Sequence, residues 1–505
     1  MLRNKKKIIL TILVMCLIGL VGIGMSYAYW RFTYMQTDKN IAVSKCLKLE
    51  MTNEKDEINL SNMYPISDEA GRSLTPYSFK ITNICSMSAE YSVNLEMLEG
   101  TTMNSKYLAT LVNNGDINLL NTFDEAKTTI SGSTESRILD TGILTPGASK
   151  EYSISLWMDK SVTLSDDAQN KSFSAKVVID AVMSTKTIQD MILSQLDTTG
   201  KCPAVNEDGT VNVTSAESEN SLLCSAKDNY GTSYYYRGNV QNNYVKFAGF
   251  YWRIVRINGD GSIRMIYDGT SAHENGEANE DRIIGTSAFN EQNDDNAYVG
   301  YMYGTPDSLT YEETHANIND STIKKYIDTW YENNIKGNVY ETYLADNLFC
   351  NDRSLAENNT GNGYKDSFTY YRWDNGPWEA DYGVYNNKMS LLCSNENDIL
   401  IVKNTSKNNS SLKYPISLIN YDEVVLAGDY GGNAIFYLNS GYDYWSISPV
   451  AYNGTNAREH IVFKERWFQN VDNVSQQRGV KPVINLKANS LKSGDGTMDN
   501  PYTVE

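Results

Sequence analysis

The chain has 505 residues and a net charge of −18 at neutral pH, and 41% of its residues are hydrophobic. A chain of this length and composition can bury several cores, which argues against wholesale disorder. The acidic balance argues against a nucleic-acid partner, because nucleic-acid binding needs clustered lysine and arginine.

The N-terminus has the pattern of an export segment. Residues 1–7 are basic, residues 8–25 are apolar without any charge, and the small residues Ser26 and Ala28 follow. This is the order of a signal peptide, and basic residues on the N-terminal side place the remainder outside the cytoplasm. The apolar run is also long enough to span a bilayer. We therefore expect residues 1–28 to be a signal peptide or a membrane anchor, and the protein to be membrane-anchored with an extracellular ectodomain or secreted.

Residues 29–185 contain short segments in which apolar and polar residues alternate. Strict alternation indicates antiparallel strands with one face in a core and the other in water. About seven such strands in this length predict an immunoglobulin-like β-sandwich. The clearest are near residues 45–51, 77–82, 90–98, 136–139, 152–158 and 173–179.

Phrases in this first half resemble a known family. Ala28-Tyr29-Trp30, TPYSFKITN (75–83) and LTPGASKEYSISLWMD (144–159) are similar to camelysin and TasA-type exported proteins. Members of that group assemble into extracellular matrix fibres. The resemblance therefore implies a structural matrix subunit, in which strand exchange would depend on the N-terminal stretch.

Residues 186–235 are expected to form a connector. Residues 187–196 have apolar positions at helical spacing, and a polar stretch with Gly200, Pro203 and Gly209 follows. Cys202 and Cys224 would staple this stretch, and we assign it no function of its own.

Six cysteines follow the export segment, and an even number in an exported chain predicts disulfides. Free thiols and metal ligands are the alternatives. There is no C-x-x-C, and the three histidines lack ligand spacing, so zinc is not expected. Pairing by neighbourhood gives Cys46–Cys85, Cys202–Cys224 and Cys350–Cys393.

The last segment, residues 236–505, has a helix and hairpin pattern. Two alternating runs, 252–257 and 263–267, flank the turn at residues 258–261, which predicts a β-hairpin. Asp320 or Ser321 can cap a helix, and a second short helix is expected from Tyr421 to Ala427. Long polar loops join these elements. We expect an α+β domain.

This order of elements resembles a group of bacterial surface domains related to C-type-lectin-like and formylglycine-enzyme-like folds. The resemblance rests on FYWRIVRINGDGSIRMIY (250–267), YWSISP (444–449), GVKPVINL (479–486) and GDGTMDNPYTV (494–504). In that group the second and third phrases bracket a variable segment that contacts the ligand. Here the bracketed segment is residues 450–477.

The resemblance and the exposed aromatics of neighbouring loops give a set of ligand-binding candidates. Aromatic rings can stack on sugars or anchor a protein, and asparagine and arginine add directional hydrogen bonds. Trp252, Trp330 and Trp445 lie in regular patterns and are expected in the core instead. The candidates are Trp373, Trp378, Tyr452, Asn453, Asn456, Arg458, His460, Trp467 and Phe468.

The fold expected is mainly β and multidomain, an immunoglobulin-like sandwich followed by a lectin-like α+β domain. The function expected is a bacterial surface adhesin or display protein that binds a surface glycan or a protein of a host or neighbouring cell. The alternatives are a self-assembling matrix subunit and a carboxylate-dependent hydrolase, although no catalytic motif occurs. Asp260, Asp495 and Asp499 lie in glycine-rich turns and leave calcium binding open.

Overall fold

The structure is a computed structural model. It divides the chain into two compact units, Met1–Thr187 and Ile188–Glu505. The fold is mainly β with several antiparallel sheets, which confirms the predicted class. The structure describes residues 31–35, 42–43, 47–51, 58–61, 63–85, 88–184, 186–214, 220–356, 359–372, 388–402, 412–429, 436–464 and 471–504.

The predicted export segment, residues 8–25, lies outside the described residues. Within the described ranges, no helix is both long and apolar enough to cross a bilayer.

The first unit is built from strands joined by polar turns, as the alternation predicts. Its short helix α1 is Asp68–Arg72, capped by the side chain of Ser67. Its strands are β1 (Arg31–Met35), β2 (Ala42–Val43), β3 (Leu47–Met51), β4 (Ile58–Leu60), β5 (Tyr77–Asn83), β6 (Ala89–Met97), β7 (Leu108–Val112), β8 (Ile117–Leu119), β9 (Glu135–Leu144), β10 (Ser149–Met158) and β11 (Phe173–Met183).

Two sheets enclose the core of the first unit. One has the order β1-β11-β6-β9, with β4 also paired to β11, and the other has the order β2-β3-β5-β10-β7-β8. Alternate residues of each sheet, such as Phe79, Val93, Ile154 and Val177, meet in one hydrophobic cluster. This burial is what the period-two pattern requires.

One edge of β11 is shared by two short strands. β1 pairs antiparallel with residues 178–182, and β4 pairs with residues 173–175. The N-terminal stretch is therefore itself a strand of the first unit's sheet.

In its described residues, the second unit has four α-helices and many short strands. Its helices are α2 (Ile188–Leu193), α3 (Tyr311–Thr314), α4 (Thr322–Asn334) and α5 (Tyr421–Ala427). Its longer strands are β14 (Ser221–Asp228), β15 (Gly231–Gly238), β16 (Tyr244–Phe247), β17 (Phe250–Ile257), β18 (Ile263–Gly269), β27 (Tyr444–Tyr452), β28 (Ala457–Val462) and β31 (Val483–Leu486). The two- and three-residue strands are β12 (Ala204–Val205), β13 (Val211–Asn212), β19 (Thr286–Ser287), β20 (Met302–Tyr303), β21 (Asn319–Asp320), β22 (Phe349–Cys350), β23 (Thr369–Tyr370), β24 (Lys388–Met389), β25 (Ile399–Leu400), β26 (Ile416–Ser417), β29 (Val471–Asn473), β30 (Arg478–Gly479) and β32 (Tyr502–Thr503).

The largest sheet of the second unit has the order β14-β15-β17-β18-β31-β26, with β16 on β17 and β32 on β16. The predicted hairpin is confirmed as β17–β18. Its turn needs Gly261, whose φ of +83° is costly for residues with a Cβ. Trp252 and Trp445 are fully buried, and Trp330 packs against the same core, as predicted.

The expected connector differs from the structure. β14 and β15 lie in the largest sheet, and Cys224 and Tyr235 belong to the hydrophobic core of the second unit. These strands bury their apolar residues by pairing with β17, so residues 221–235 are part of the fold that follows and not a linker.

The two predicted helices, α4 and α5, begin where their N-caps predict. Ser321 accepts a hydrogen bond from Lys324 N at the start of α4. Asn420 and Glu423 form a capping box at the start of α5, which ends at Gly428. All seven residues of α5 are buried, so this helix lies inside the second unit.

Two of the three predicted disulfides are confirmed, Cys202–Cys224 and Cys350–Cys393, with Cα separations of 5.6 and 5.7 Å. Cys85 is also disulfide-bonded. Cys46 lies outside the described residues, so its pairing with Cys85 stays a prediction.

Candidate functional site

The bracketed segment begins with the β27–β28 hairpin. β27 is the centre of a sheet with the order β19-β30-β27-β28-β29, and β23 also pairs with it. A polar turn at residues 453–456 joins the two strands. Gly454 there has a φ of +82°, so the turn is shaped by a residue that tolerates this conformation.

The turn is held by its own asparagines. Asn453 Oδ1 accepts hydrogen bonds from the backbone N–H groups of Thr455 and Asn456 at 3.1 and 2.8 Å. Asn456 Oδ1 accepts a hydrogen bond from Asn293 Nδ2 at 2.7 Å. Because these amides are fixed, their remaining polar atoms are presented in a defined geometry.

Arg458 lies directly after this turn. Its side chain is half-buried, and its Nε is buried without a hydrogen-bond partner in the part of the chain that the structure describes. A buried N–H that remains unpaired costs about 1–3 kcal/mol. The N–H of Arg458 Nε is therefore an unsatisfied donor, and an acceptor would reach it only after the atoms that cover it move.

Tyr452 and His460 are placed differently from the expectation. Tyr452 is 2% exposed, and its hydroxyl donates to the backbone oxygen of Asp294 at 3.0 Å. His460 is 3% exposed and stacks on Tyr421, with ring centroids 4.0 Å apart. Both rings are buried, because β27 is buried on both faces and β28 is buried on both faces from Glu459 onward. They support the segment and do not project from it.

Glu459, between Arg458 and His460, was not among the sequence candidates. Its side chain is fully buried, and neither carboxyl oxygen has a hydrogen-bond partner among the described residues. Burial raises the pKa of Glu459 well above its usual value, and the charge of Arg353 offsets this only in part. Burial thus favours the neutral form of this carboxyl over the ionised form.

Further buried polar groups lie at the side of this hairpin. The hydroxyl of Tyr371 donates to Asn296 Oδ1 at 3.0 Å and lies 3.4 Å from His315 Nε2. Burial lowers the pKa of His315 well below its usual value, and the positive charge of Arg353 adds to this effect. Arg353 is itself paired with Asp398 at 2.6 Å.

An ionic pocket lies next to this group. Arg372 Nη2 donates to Asp422 Oδ1 at 2.6 Å, and Arg372 Nη1 donates to Asp352 Oδ2 at 3.1 Å. Burial raises the pKa of Asp422, and the pairing with Arg372 opposes that rise. Arg372 Nη2 also lies 3.3 Å from the carbonyl of Lys388, so the two flanks of residues 373–387 are in contact. The two aspartates of this pocket are both bound to Arg372.

The same pocket continues through α5 into the largest sheet. Glu423 Oε1 accepts from Arg256 and from Arg264, each at 2.8 Å. Burial would raise the pKa of Glu423, but these two charges lower it to about 2. The cavity that these residues line measures about 20 Å³, which is room for one water molecule.

Four sequence candidates and the calcium proposal remain. Trp373, Trp378, Trp467 and Phe468 lie outside the described residues. Asp260 and Asp495 each accept hydrogen bonds within their own turns. Across the described ranges, no group of three or more His, Cys, Asp or Glu side chains is placed to hold a metal ion.

Comparison with protein-family models, with curated proteins and with solved structures finds no match for this chain.

Proposed function

We propose that this chain is a surface protein that binds a polar ligand, a glycan or a protein, through its second unit. An immunoglobulin-like sandwich would serve as the stalk and a C-type-lectin-like α+β domain as the head, outside the cytoplasm. The confirmed disulfides favour an oxidising compartment and so support an extracellular location.

The observation that supports this proposal best is Arg458. Its Nε is buried without a partner, and it follows a turn whose asparagine side chains are fixed. A protein gains nothing in stability from an unsatisfied buried donor. A ligand carboxylate or hydroxyl at this position would complete the arrangement, since arginine binds carboxylates with two parallel hydrogen bonds.

The buried ion pairs nearby support the same location. Pairs such as Arg372–Asp422 contribute little net stability, because removing the charges from water costs about as much as their attraction returns. Perturbed ionisable groups concentrate at functional sites. The pocket would hold together Arg372 and Lys388, the residues on either side of the segment 373–387. That segment contains the ligand candidates Trp373 and Trp378.

Glycan-array and cell-surface protein binding with the full ectodomain tests the proposal. Arg458→Met is expected to weaken binding to the best ligand at least tenfold, a loss of about 1.4 kcal/mol. Trp373→Ala, Trp378→Ala and Trp467→Ala, each made singly, test the aromatic candidates.

Two controls match these variants. Arg72→Met removes an exposed arginine of the first unit whose guanidinium donates to the backbone oxygen of Gly115. Tyr64→Ala removes an aromatic ring that is 80% exposed. Both are expected to bind as the wild type does. Absence of any ligand, or equal binding by the wild type and Arg458→Met, contradicts the proposal.

A second candidate function is a subunit of an extracellular fibre. It is favoured by β1, the N-terminal stretch, which occupies one edge of β11. The same stretch of a neighbouring copy could pair there in its place, which is strand addition to a sheet edge.

Electron microscopy of the purified ectodomain tests this second function. It predicts fibres that disappear when residues 29–35 are deleted. Monomers under all conditions contradict it and leave the ligand-binding proposal intact.

A further inference from the structure

A cavity of about 810 Å³ opens on the first unit, between the segment that precedes α1 and the loop that follows β10. Met158 and Val162 line it, and both belong to the hydrophobic core of this unit, with exposed fractions of 3% and 9%. Cavities that bind small molecules measure about 300–1,000 Å³. The cavity therefore has the size of a small-molecule site, and its inner wall is apolar.

The rim of the cavity carries unusually exposed apolar side chains. Leu164 is 89% exposed and Tyr64 is 80% exposed, and no other large hydrophobic side chain in the described ranges exceeds 68%. Both side chains line this cavity. Single exposed apolar residues are common on protein surfaces, whereas contiguous ones mark binding sites. A ligand in the cavity would cover both of these side chains at once.

The two walls of the cavity are attached to each other. The backbone N–H of Ile66 donates to the carbonyl oxygen of Met158 at 3.3 Å. The ion pair between Lys160 and Asp68 joins the same two segments. The cavity is therefore formed before any ligand enters, and a ligand does not have to order its walls. Such preorganisation favours affinity.

The polar part of the lining is uncharged. None of the ten described residues that line the cavity carries a charge at neutral pH. The hydroxyls of Thr163 and Ser165 share a hydrogen bond of 2.8 Å, and the exposed amides of Gln169 and Asn170 offer donors and acceptors at the rim. A charged ligand would lose water here without gaining an opposite charge. The lining therefore favours a neutral ligand.

We propose that this cavity binds a neutral single-chain amphiphile, a molecule with an apolar chain and an uncharged hydroxyl or amide head. The chain lies against Met158 and Val162, and the head meets the amides of Gln169 and Asn170. Methionine suits this role because its flexible side chain adapts to apolar ligands. An oligosaccharide fits less well, because its hydroxyl groups would face the apolar inner wall without partners. The site belongs to the first unit and is independent of the ligand proposed for the second.

Fluorescence titration of the full ectodomain with Nile red, a neutral apolar dye, tests this site. We expect one saturable site per chain, from which decanol displaces the dye. Decanoate and decylammonium have the same chain with a charged head, and we expect each to compete about tenfold more weakly. Equal competition by the three compounds would overturn the assignment of an uncharged head.

Three variants show where the dye binds. Leu164→Ser removes an exposed side chain, so the fold is kept, and we expect it to weaken binding of dye and decanol about tenfold. Tyr64→Ala is expected to weaken the same binding and to leave the array ligand of the second unit unaffected. Leu309→Ser, at a leucine of the second unit that is 68% exposed, should behave as the wild type. Unchanged affinity in Leu164→Ser, or displacement of the dye by cellotetraose and not by decanol, overturns the proposal.

Discussion

Replacing Glu459 with glutamine is expected to change how the stability of the second unit depends on pH. Glu459 is fully buried, and neither of its carboxyl oxygens has a hydrogen-bond partner in the described part of the chain. Glutamine has almost the same shape and cannot ionise. The substitution therefore removes the titration and leaves the packing nearly unchanged.

The sign follows from the raised pKa of Glu459. The folded state keeps a proton that the unfolded state releases, so stability is greatest below the unfolded pKa of about 4.3. It then falls by about 1.4 kcal/mol for each pH unit until the pH passes the folded pKa. Glu459→Gln removes this slope, so its advantage over the wild type grows as the pH rises.

Urea denaturation at pH 4 to 8, followed by tryptophan fluorescence, measures this difference, because Trp252 and Trp445 are buried in the second unit. We expect equal stabilities at pH 4 and a more stable variant at pH 7. A constant difference across the range, or a variant that is less stable at pH 7, would refute the reasoning. Glu96 provides a contrast, since its buried carboxylate accepts hydrogen bonds from Thr129 and Ile130.

Three further changes are expected to reduce stability, each measured by the same denaturation. Glu96→Gln should cost the first unit about 1–3 kcal/mol. The two carboxylate oxygens of Glu96 accept hydrogen bonds from Thr129 and Ile130, and a glutamine amide offers these donors one oxygen in place of two. An unchanged denaturation midpoint would contradict this. Cys393→Ser should cost about 4 kcal/mol by opening a loop of 43 residues, and non-reducing mass spectrometry should show Cys202–Cys224 intact. Asp422→Ala should cost about 3 kcal/mol by removing the main partner of Arg372. Lys413→Ala, at an exposed pair, should leave the denaturation midpoint nearly unchanged.

The strands and caps could be predicted from the sequence because their causes are local. The alternation in residues 173–179 specifies which face of β11 is buried, and Ser321 and Gly428 mark helix ends by their own backbone preferences. The turn between β17 and β18 is specified in the same way by residues 258–261.

The candidate site could be predicted only in part because its contacts are not local. Arg372 is 20 residues from Asp352 and 50 from Asp422, and no sequence pattern specifies that they meet. Glu459 was not among the sequence candidates. Its position in the strand is the feature that could have identified it. Glu459 shares a face of β28 with the apolar residues Ala457 and Ile461.

The connector was misread for a related reason. The polar residues after Gly200 suggested a loop, whereas β14 and β15 are stabilised by pairing with β17, which follows later in the chain. The run of tyrosines at 234–236, typical of a strand, was the available indication.

We propose that the second unit binds its ligand at the β27–β28 turn. Hydrogen exchange of the ectodomain with and without the best array ligand tests it most directly. We expect ligand-dependent protection in peptides covering residues 450–462 and in those flanking 373–387. Protection confined to the first unit, for example around its cavity of about 810 Å³ beside Tyr64 and Leu164, would contradict it.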